Sequence, residues 1–276
     1  MSATARYRAL AFDLDGTLLT SEEEVSPRNL AAVRAARMAG YEIIVASARW
    51  RQLAERVAAE VDAAAPLVAC SGAEVWHRGL HHDLLDLRLP GAFAEALYEI
   101  CDANRCIATI VLDEEVVVRM GGDPGRGSMP HEMRPVRSLR AEAAPHPRIA
   151  LIQGTEVNRL IRERLAAEWG ESVRFVESIS SRGKSILTLT AAGADKGVAL
   201  AVACAHLEIP LDEVVSFGDA ENDIEMFRVT GASVAMGQAA GHVKAHATFT
   251  TASNAEDGVA VAVERLLREG RLSRDS

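Results

Sequence analysis

Four short stretches of this chain carry side chains that could do chemistry together. In the first, Asp13 and Asp15 stand one residue apart and are followed by Gly16 and Thr17. In extended chain, residues i and i+2 project to the same side, roughly 6.5–7 Å apart, so the two carboxylates leave a strand together. Close carboxylates repel each other and resist burial unless a cation offsets them. A hard divalent ion such as Mg2+ does so, and it also draws a phosphate toward a carboxylate. One aspartate could then attack phosphorus, since carboxylates form aspartyl-phosphate intermediates. The other could protonate the departing oxygen and later activate water. Gly16 permits a sharp turn and close approach to a ligand. Thr17 adds a hydroxyl, and the turn amides could cradle an anion. A solvated acidic turn is the competing reading for Asp-x-Asp alone.

The second acidic stretch is Gly218-Asp219-Ala220-Glu221-Asn222-Asp223. Asp219 ends a predicted strand, and Asp223 falls in the first turn of the helix that follows. Acidic residues there also serve simply to complement the helix dipole. As a functional pair, Asp219 would bind a metal directly and Asp223 would hold it through water. An oxygen-only set with few protein ligands fits Mg2+, which keeps several waters. Lys196, alone, is a solvated charge before a helix; beside carboxylates and a phosphate it would neutralise the nucleophile and the transferring oxygens. Ser47, at a strand end, either caps the backbone or binds phosphate with its hydroxyl and the next amides, those of Ala48 and Arg49.

These residues need elements to position them. Ala9–Phe12 is an apolar run of the kind buried on both faces of a parallel sheet. Ser26-Pro27 predicts an N-cap with proline opening a helix. Tyr41–Ser47 predicts a second strand, 50–61 a helix, and Pro66–Cys70 a third strand. This order implies a parallel sheet with helices on both faces. The rhythm changes near residue 80. There follow a helix within 87–105, strand-like runs over 107–120 about a turn at 113–115, and a Gly/Pro-rich loop, Gly121–Pro135. A strand over 148–153, a helix over 156–169 and strands over 172–177 and 185–190 complete an α+β module. From Lys196 the first rhythm returns: a helix over 197–207, a strand over 213–217, a helix over 223–229, strands over 232–236 and 246–250, and a closing helix over 257–268. The fold class is therefore α/β, a doubly wound parallel sheet formed by residues 1–85 and 188–276, with a smaller α+β domain, 86–187, inserted.

The 276 residues carry a net charge of −9, with 49% apolar and 25% charged residues. That balance argues against nucleic acid or an anionic membrane as partner. No run is long and apolar enough to span a bilayer, and the polar N-terminus predicts no secretory signal. Four cysteines make no C-x-x-C pair and are expected as buried free thiols in the cytoplasm. His77, His81 and His82 lack acidic or cysteine partners at zinc spacing and are expected in a polar loop.

Together the four stretches resemble the haloacid dehalogenase-like phosphohydrolases, and among them the Cof-type subfamily with a type IIB cap. DLDGTLL (13–19) is similar to the first motif, Ser47 stands at the second-motif hydroxyl, Lys196 at the lysine, and GDAEND (218–223) at the acidic motif. SVAMGQA (233–239) and NAEDGVA (254–260) are similar as well. The resemblance implies Asp13 as nucleophile and Asp15 as general acid/base. Asp13, the Asp15 main-chain carbonyl and Asp219 would ligate Mg2+, with Asp223 in support. Gly16, Thr17, Ser47, Ala48, Arg49 and Asn222 would contact the phosphate, and Lys196 would stabilise its charge. It further implies a phosphatase for a small phosphomonoester, a sugar phosphate first, acting as monomer or homodimer under a cap that closes over the substrate. Ala48 replaces the usual glycine before Arg49, and Ser71 the usual asparagine before Gly72. A phosphomutase of the same superfamily is the enzymatic alternative. A receiver-like signalling domain would need neither Asp15 nor the inserted domain, and a phosphate-binding protein with little turnover is the alternative that Ala48 and Ser71 motivate. Dehalogenation needs neither Asp15 nor a metal.

Overall fold

The computed structural model describes residues 7–121, 132–179 and 183–270. The polar N-terminal stretch, most of the Gly121–Pro135 loop and the tail after Gly270 lie outside these. The chain divides into two compact units, one formed by Met1–Leu85 with Asp195–Ser276 and the other by Asp86–Ala194.

The first unit opens with β1 (Ala9–Phe12), every residue of which is buried. Helix α1 (Pro27–Met38) begins as its sequence predicts: Ser26 accepts from the amide of Asn29, and proline takes the first turn, where its missing N–H costs nothing. Then come β2 (Glu42–Val45), α2 (Arg51–Glu60) and β3 (Leu67–Ala69). An antiparallel hairpin of β4 (Glu74–His77) and β5 (His82–Asp86) follows β3. Where the sequence predicts a polar loop around His77, His81 and His82, the structure forms these strands. The hairpin's short strands carry histidines on a partly exposed face, so the alternation that marks a strand is faint.

The second unit contains α3 (Gly91–Asn104), β6 (Ile107–Val111), β7 (Val116–Arg119), β8 (Met133–Val136), α4 (Leu139–Glu142), β9 (Ile149–Gln153), α5 (Thr155–Trp169), β10 (Val173–Ile179) and β11 (Ser185–Ala191). Its six strands form one sheet in the order β10-β11-β9-β6-β7-β8. Phe93 and Leu97 of α3 and Ile161 and Leu165 of α5 close its core against Ile110, Ile152, Leu187 and Leu189. The Asp102 carboxylate accepts from the Ser138 hydroxyl and the Leu139 and Arg140 amides, capping the start of α4. The predicted loop ends sooner than Pro135, because Met133–Val136 pairs with β7. A proline is tolerated there since β8 is the edge strand. The division between units also differs from a break after residue 187. β11 pairs along its whole length with β10, so the chain stays in the second unit through Ala194.

The first unit resumes with α6 (Lys196–His206), β12 (Val214–Gly218), α7 (Ile224–Val229), β13 (Ala232–Ala235), α8 (Gly241–Lys244), β14 (Phe249–Thr250) and α9 (Gly258–Glu269). The strand expected over 246–250 is only two residues long, because a short helix and turn occupy the approach to it. The five strands pair in parallel in the order β14-β13-β12-β1-β2, and a bridge between Ala46 and Val68 brings β3 alongside β2. Ala9, Ala11 and Ile44 pack against Ala199, Leu200 and Ala203 of α6 and Met226 of α7. Leu10 and Phe12 point to the opposite face and are equally buried, as a parallel sheet with both faces covered requires.

This topology fixes where a site can lie. From β1 the chain goes to β2 on one side, and the later strand β12 lies on the other. Such a reversal of strand order opens a crevice at the carboxyl ends of β1 and β12. Register then places the side chains. Phe12 pairs with Phe217 on one side and Val45 on the other, so the residues just beyond them converge from three adjacent strands: Asp13 from β1, Asp219 from β12 and Ser47 from β2.

Candidate active site

Asp13 is 5% exposed, at the first position past β1, and its amide donates to the Phe217 carbonyl. Lys196, fully buried at the first position of α6, donates from Nζ to Asp13 Oδ1 at 2.5 Å and to Asp223 Oδ1 at 2.8 Å. The start of α6 is fixed by Asp195, whose carboxylate accepts from the Val198 amide. Asp223 spends its other oxygen on two amides, those of Asp219 (2.9 Å) and Ala220 (3.0 Å). It is therefore a strut: it shapes the turn after β12 and holds the lysine against Asp13.

Asp13, Asp219 and Asp223 each present a carboxylate oxygen within 4.8 Å of the others. Among the described residues this is the group arranged as a cation site. His77, His81 and His82 are not part of any such group. Instead the His77 ring lies edge-on to His206 at 4.6 Å, and its Nδ1 accepts from the Leu80 amide.

Three carboxylates facing one ammonium leave the cluster short of positive charge, and the proton affinities register this. Burial pushes the Asp13 carboxyl well above the usual aspartate range, the Asp223 charge adds to the rise, and Lys196 opposes both. Burial and the Asp223 charge push Asp219 up to about 6. Burial alone would lower Lys196, but Asp13 and Asp223 outweigh it and hold the ammonium above its ordinary value. Asp219 Oδ1 is also buried without a hydrogen-bond partner, as is Thr17 Oγ1 in the turn after β1. A carboxylate oxygen left bare beside two other carboxylates is what a divalent cation would occupy, so the residues fit one.

The Asp15 carboxylate turns elsewhere. It is half exposed and accepts two hydrogen bonds from Arg49, at 2.8 Å from Nε and 2.6 Å from Nη2. Arg49 also reaches Glu23 at 3.1 Å, a contact no sequence pattern announced. Of the acidic pair, then, the structure brings only Asp13 into the carboxylate cluster and holds Asp15 beside it on a guanidinium. Ser47 is buried, and its hydroxyl accepts from the Arg49 amide at 3.0 Å. That is the capping role, and it leaves the hydroxyl proton free to be donated. Ala48 lies inside this cap, and Asn222 on the turn between Asp219 and Asp223.

Gly16 is required in two ways. Its φ is +80°, and a Cβ there would stand 2.3 Å from Asp219 Oδ2. Gly16→Ala is therefore expected to cost about 1–3 kcal/mol of stability, and to lower turnover by displacing Asp219. Chemical denaturation beside initial-rate measurements checks this; an unchanged midpoint with full activity would mean that the turn relaxes freely.

An aspartate on a buried lysine, with two further carboxylates gathered at the switch point of a parallel sheet, forms a site suited to a divalent cation and a phosphate. The profile of the haloacid dehalogenase-like hydrolases matches residues 10–263, and the chain belongs to that family. Among its relatives is the 5-amino-6-(5-phospho-D-ribitylamino)uracil phosphatase YwtE of Bacillus subtilis, 26% identical over 94% of this chain and 98% of that protein. Pyridoxal phosphate phosphatase YbhA of Escherichia coli is 26% identical over 92% and 96%. A haloacid dehalogenase-like hydrolase from Bacteroides thetaiotaomicron superposes with a TM-score of 0.80 at 25% identity, covering 94% of this chain and 99% of that one.

Proposed function

We propose that this phosphomonoester hydrolase is a Mg2+-dependent phosphatase of small phosphorylated metabolites, sugar phosphates foremost, and that it works through a phosphoryl group carried on Asp13. The observation that carries the reading is the shortage of positive charge around Asp13, Asp219 and Asp223, whose oxygens lie within 4.8 Å of one another with Lys196 as the buried cation among them. Mg2+ would be held by Asp13, the Asp15 main-chain carbonyl and Asp219, with Asp223 in support. When bound, it supplies charge neutralisation for the carboxylates and the phosphate.

The chain's own groups do the rest. A carboxylate oxygen of Asp13 attacks phosphorus in line with the ester bond, which breaks to leave the phosphoryl group on Asp13. Asp15 gives its proton to the departing alkoxide oxygen, then takes a proton from water as that water attacks the same phosphorus. Inorganic phosphate leaves and Asp13 is restored. In this structure both Asp15 oxygens accept from Arg49, so the acid/base role requires the side chain to leave the guanidinium and take up a proton before the ester bond breaks. Lys196 balances charge on Asp13 throughout. The Thr17 and Ser47 hydroxyls and the turn amides of Ala48 and Asn222 serve the phosphate oxygens, while the Arg49 amide is held by the Ser47 hydroxyl.

The relatives named as phosphatases of a phosphorylated ribitylaminouracil and of pyridoxal phosphate support a small phosphomonoester. The test is a panel of sugar phosphates, pyridoxal phosphate and nucleotides, assayed for free phosphate and for isomerised product. Phosphate release is expected with Mg2+ and its loss with EDTA. Isomerised esters without free phosphate would replace the reading by a phosphomutase, and no turnover of any ester would overturn it.

A further inference from the structure

Two stretches of the sequence that resemble the subfamily, SVAMGQA and NAEDGVA, have no part in the chemistry above, yet the structure brings both against the catalytic turn. Gln238 donates from Nε2 to the Gly16 carbonyl at 2.5 Å, and the same nitrogen lies 3.4 Å from Asp219 Oδ2. A carboxamide NH2 has two protons, so one nitrogen serves both acceptors. Its Oε1 accepts from the Asn254 amide at 3.1 Å, which fixes which end of the amide faces the turn. Asn254 in turn donates from Nδ2 to the Leu19 carbonyl at 3.0 Å. The turn that carries Asp13 and Asp15 is thus gripped at both ends, at Gly16 and at Leu19, from two loops more than two hundred residues away in sequence.

We propose that Gln238 is a positioning residue for the cation site. Of the two oxygens of Asp219, Oδ2 faces the Gln238 amide while Oδ1 is buried with no partner. Engaging one oxygen fixes the rotation of the carboxylate and leaves the other directed at the cation. The bond to Gly16 sets that carboxylate relative to the turn of the nucleophile, because Asp219 lies close enough to Gly16 that a Cβ there would stand 2.3 Å from Oδ2. Asn254 works one step further out, by holding the Gln238 amide in the orientation that donates. Groups that orient a metal ligand in this way typically change metal affinity about 10–100-fold when removed. Their loss need not unfold the protein, and Gln238 is exposed at its surface.

This inference rests on the cation reading of the site, and the experiment separates the two. Mg2+ binding to the wild-type chain and to Gln238→Leu, which keeps the side chain's bulk but donates nothing, is measured by calorimetry without substrate. Thermal unfolding of both is followed in EDTA. The expected result is a dissociation constant raised about 10–100-fold in Gln238→Leu, with melting in EDTA within a few degrees of wild type. Gln238→Asn, one methylene short of spanning Gly16 and Asp219, is expected to fall with the leucine variant. Equal Mg2+ affinity in wild type and Gln238→Leu would overturn the positioning role while leaving the cation site standing. So would a loss of affinity matched by a collapse of stability in EDTA, which would mark a merely structural contact. Failure of the wild-type chain itself to bind Mg2+ would remove the cation reading, and this inference with it.

Discussion

Asp13→Asn is expected to abolish phosphate release from every accepted ester while leaving the fold as stable as before, or more so. Asparagine keeps the shape of the side chain and can still accept from Lys196, but it cannot form the acyl phosphate bond. Removal of a covalent nucleophile costs on the order of 10⁵-fold or more in kcat. The stability argument runs in the opposite direction. Burial and Asp223 raise the proton affinity of Asp13 in the folded chain. A carboxyl with a raised folded value contributes most below its unfolded value, and that contribution is lost as pH rises through the interval between the two. At neutral pH the charged form is therefore a net cost in the cation-free protein, and the substitution removes it. Rapid-quench detection of a phosphorylated chain, absent in Asp13→Asn, combined with calorimetric unfolding in EDTA at pH 7, measures both halves. Turnover within tenfold of wild type would falsify the assignment of Asp13 as nucleophile.

The reach of the sequence over this site follows from what kind of contact fixes each residue. Asp13, Asp219 and Ser47 were legible because each stands just past an apolar strand, and parallel register alone makes such positions converge. The alternation of buried strand and amphipathic helix is a local signal, so the order of elements in the first unit and most of the second could be read directly. The β4–β5 hairpin and the shortness of β14 were not legible, since their strands are brief and partly polar. Lys196 was placed by resemblance; its residue type alone predicts a solvated charge, and only the two carboxylates at 2.5 and 2.8 Å explain its burial.

What stayed hidden were contacts between segments far apart in the chain that obey no period. Arg49 was expected among the phosphate contacts, and the structure engages its guanidinium with Asp15 and Glu23 instead. Gln238 and Asn254 bear no chemistry that spacing could reveal; their meaning lies in the Gly16 and Leu19 carbonyls they meet. Ser71 shows a subtler case. It has φ 57° and ψ 30°, between Cys70 and Gly72, which also have positive φ. That left-handed conformation favours asparagine or glycine over serine, which accounts physically for asparagine being the usual residue of the resemblance there.

Lys196→Met is expected to be the most destabilising single substitution at the site, and its deficit should depend on pH and on Mg2+. Methionine fills nearly the same volume without the ammonium, so the loss is one of charge rather than packing. Asp13 and Asp223 are then left buried without their partner, and breaking a buried pair from one side costs about 3–5 kcal/mol. Lys196 opposes the rise in Asp13's proton affinity, so without it Asp13 would take up a proton more readily, and the deficit should shrink as pH falls and widen as pH rises toward neutrality. Mg2+ held at the carboxylates would bind only the folded chain and supply positive charge at the same place, so it should recover part of the loss. The catalytic effect adds to this: removing a fixed cation beside the transferring group lowers kcat by about 10²–10³-fold. A double-mutant cycle separates charge from mere disruption. If the cost comes from stranded carboxylates, Asp13→Asn in the Lys196→Met background should restore stability rather than reduce it further, giving a coupling of about 1–3 kcal/mol. Denaturant midpoints of the four proteins, taken at pH 5 and pH 7.5 in EDTA and again with Mg2+, carry the whole test. Additive losses that ignore both pH and cation would mean that Lys196 acts there as packing alone.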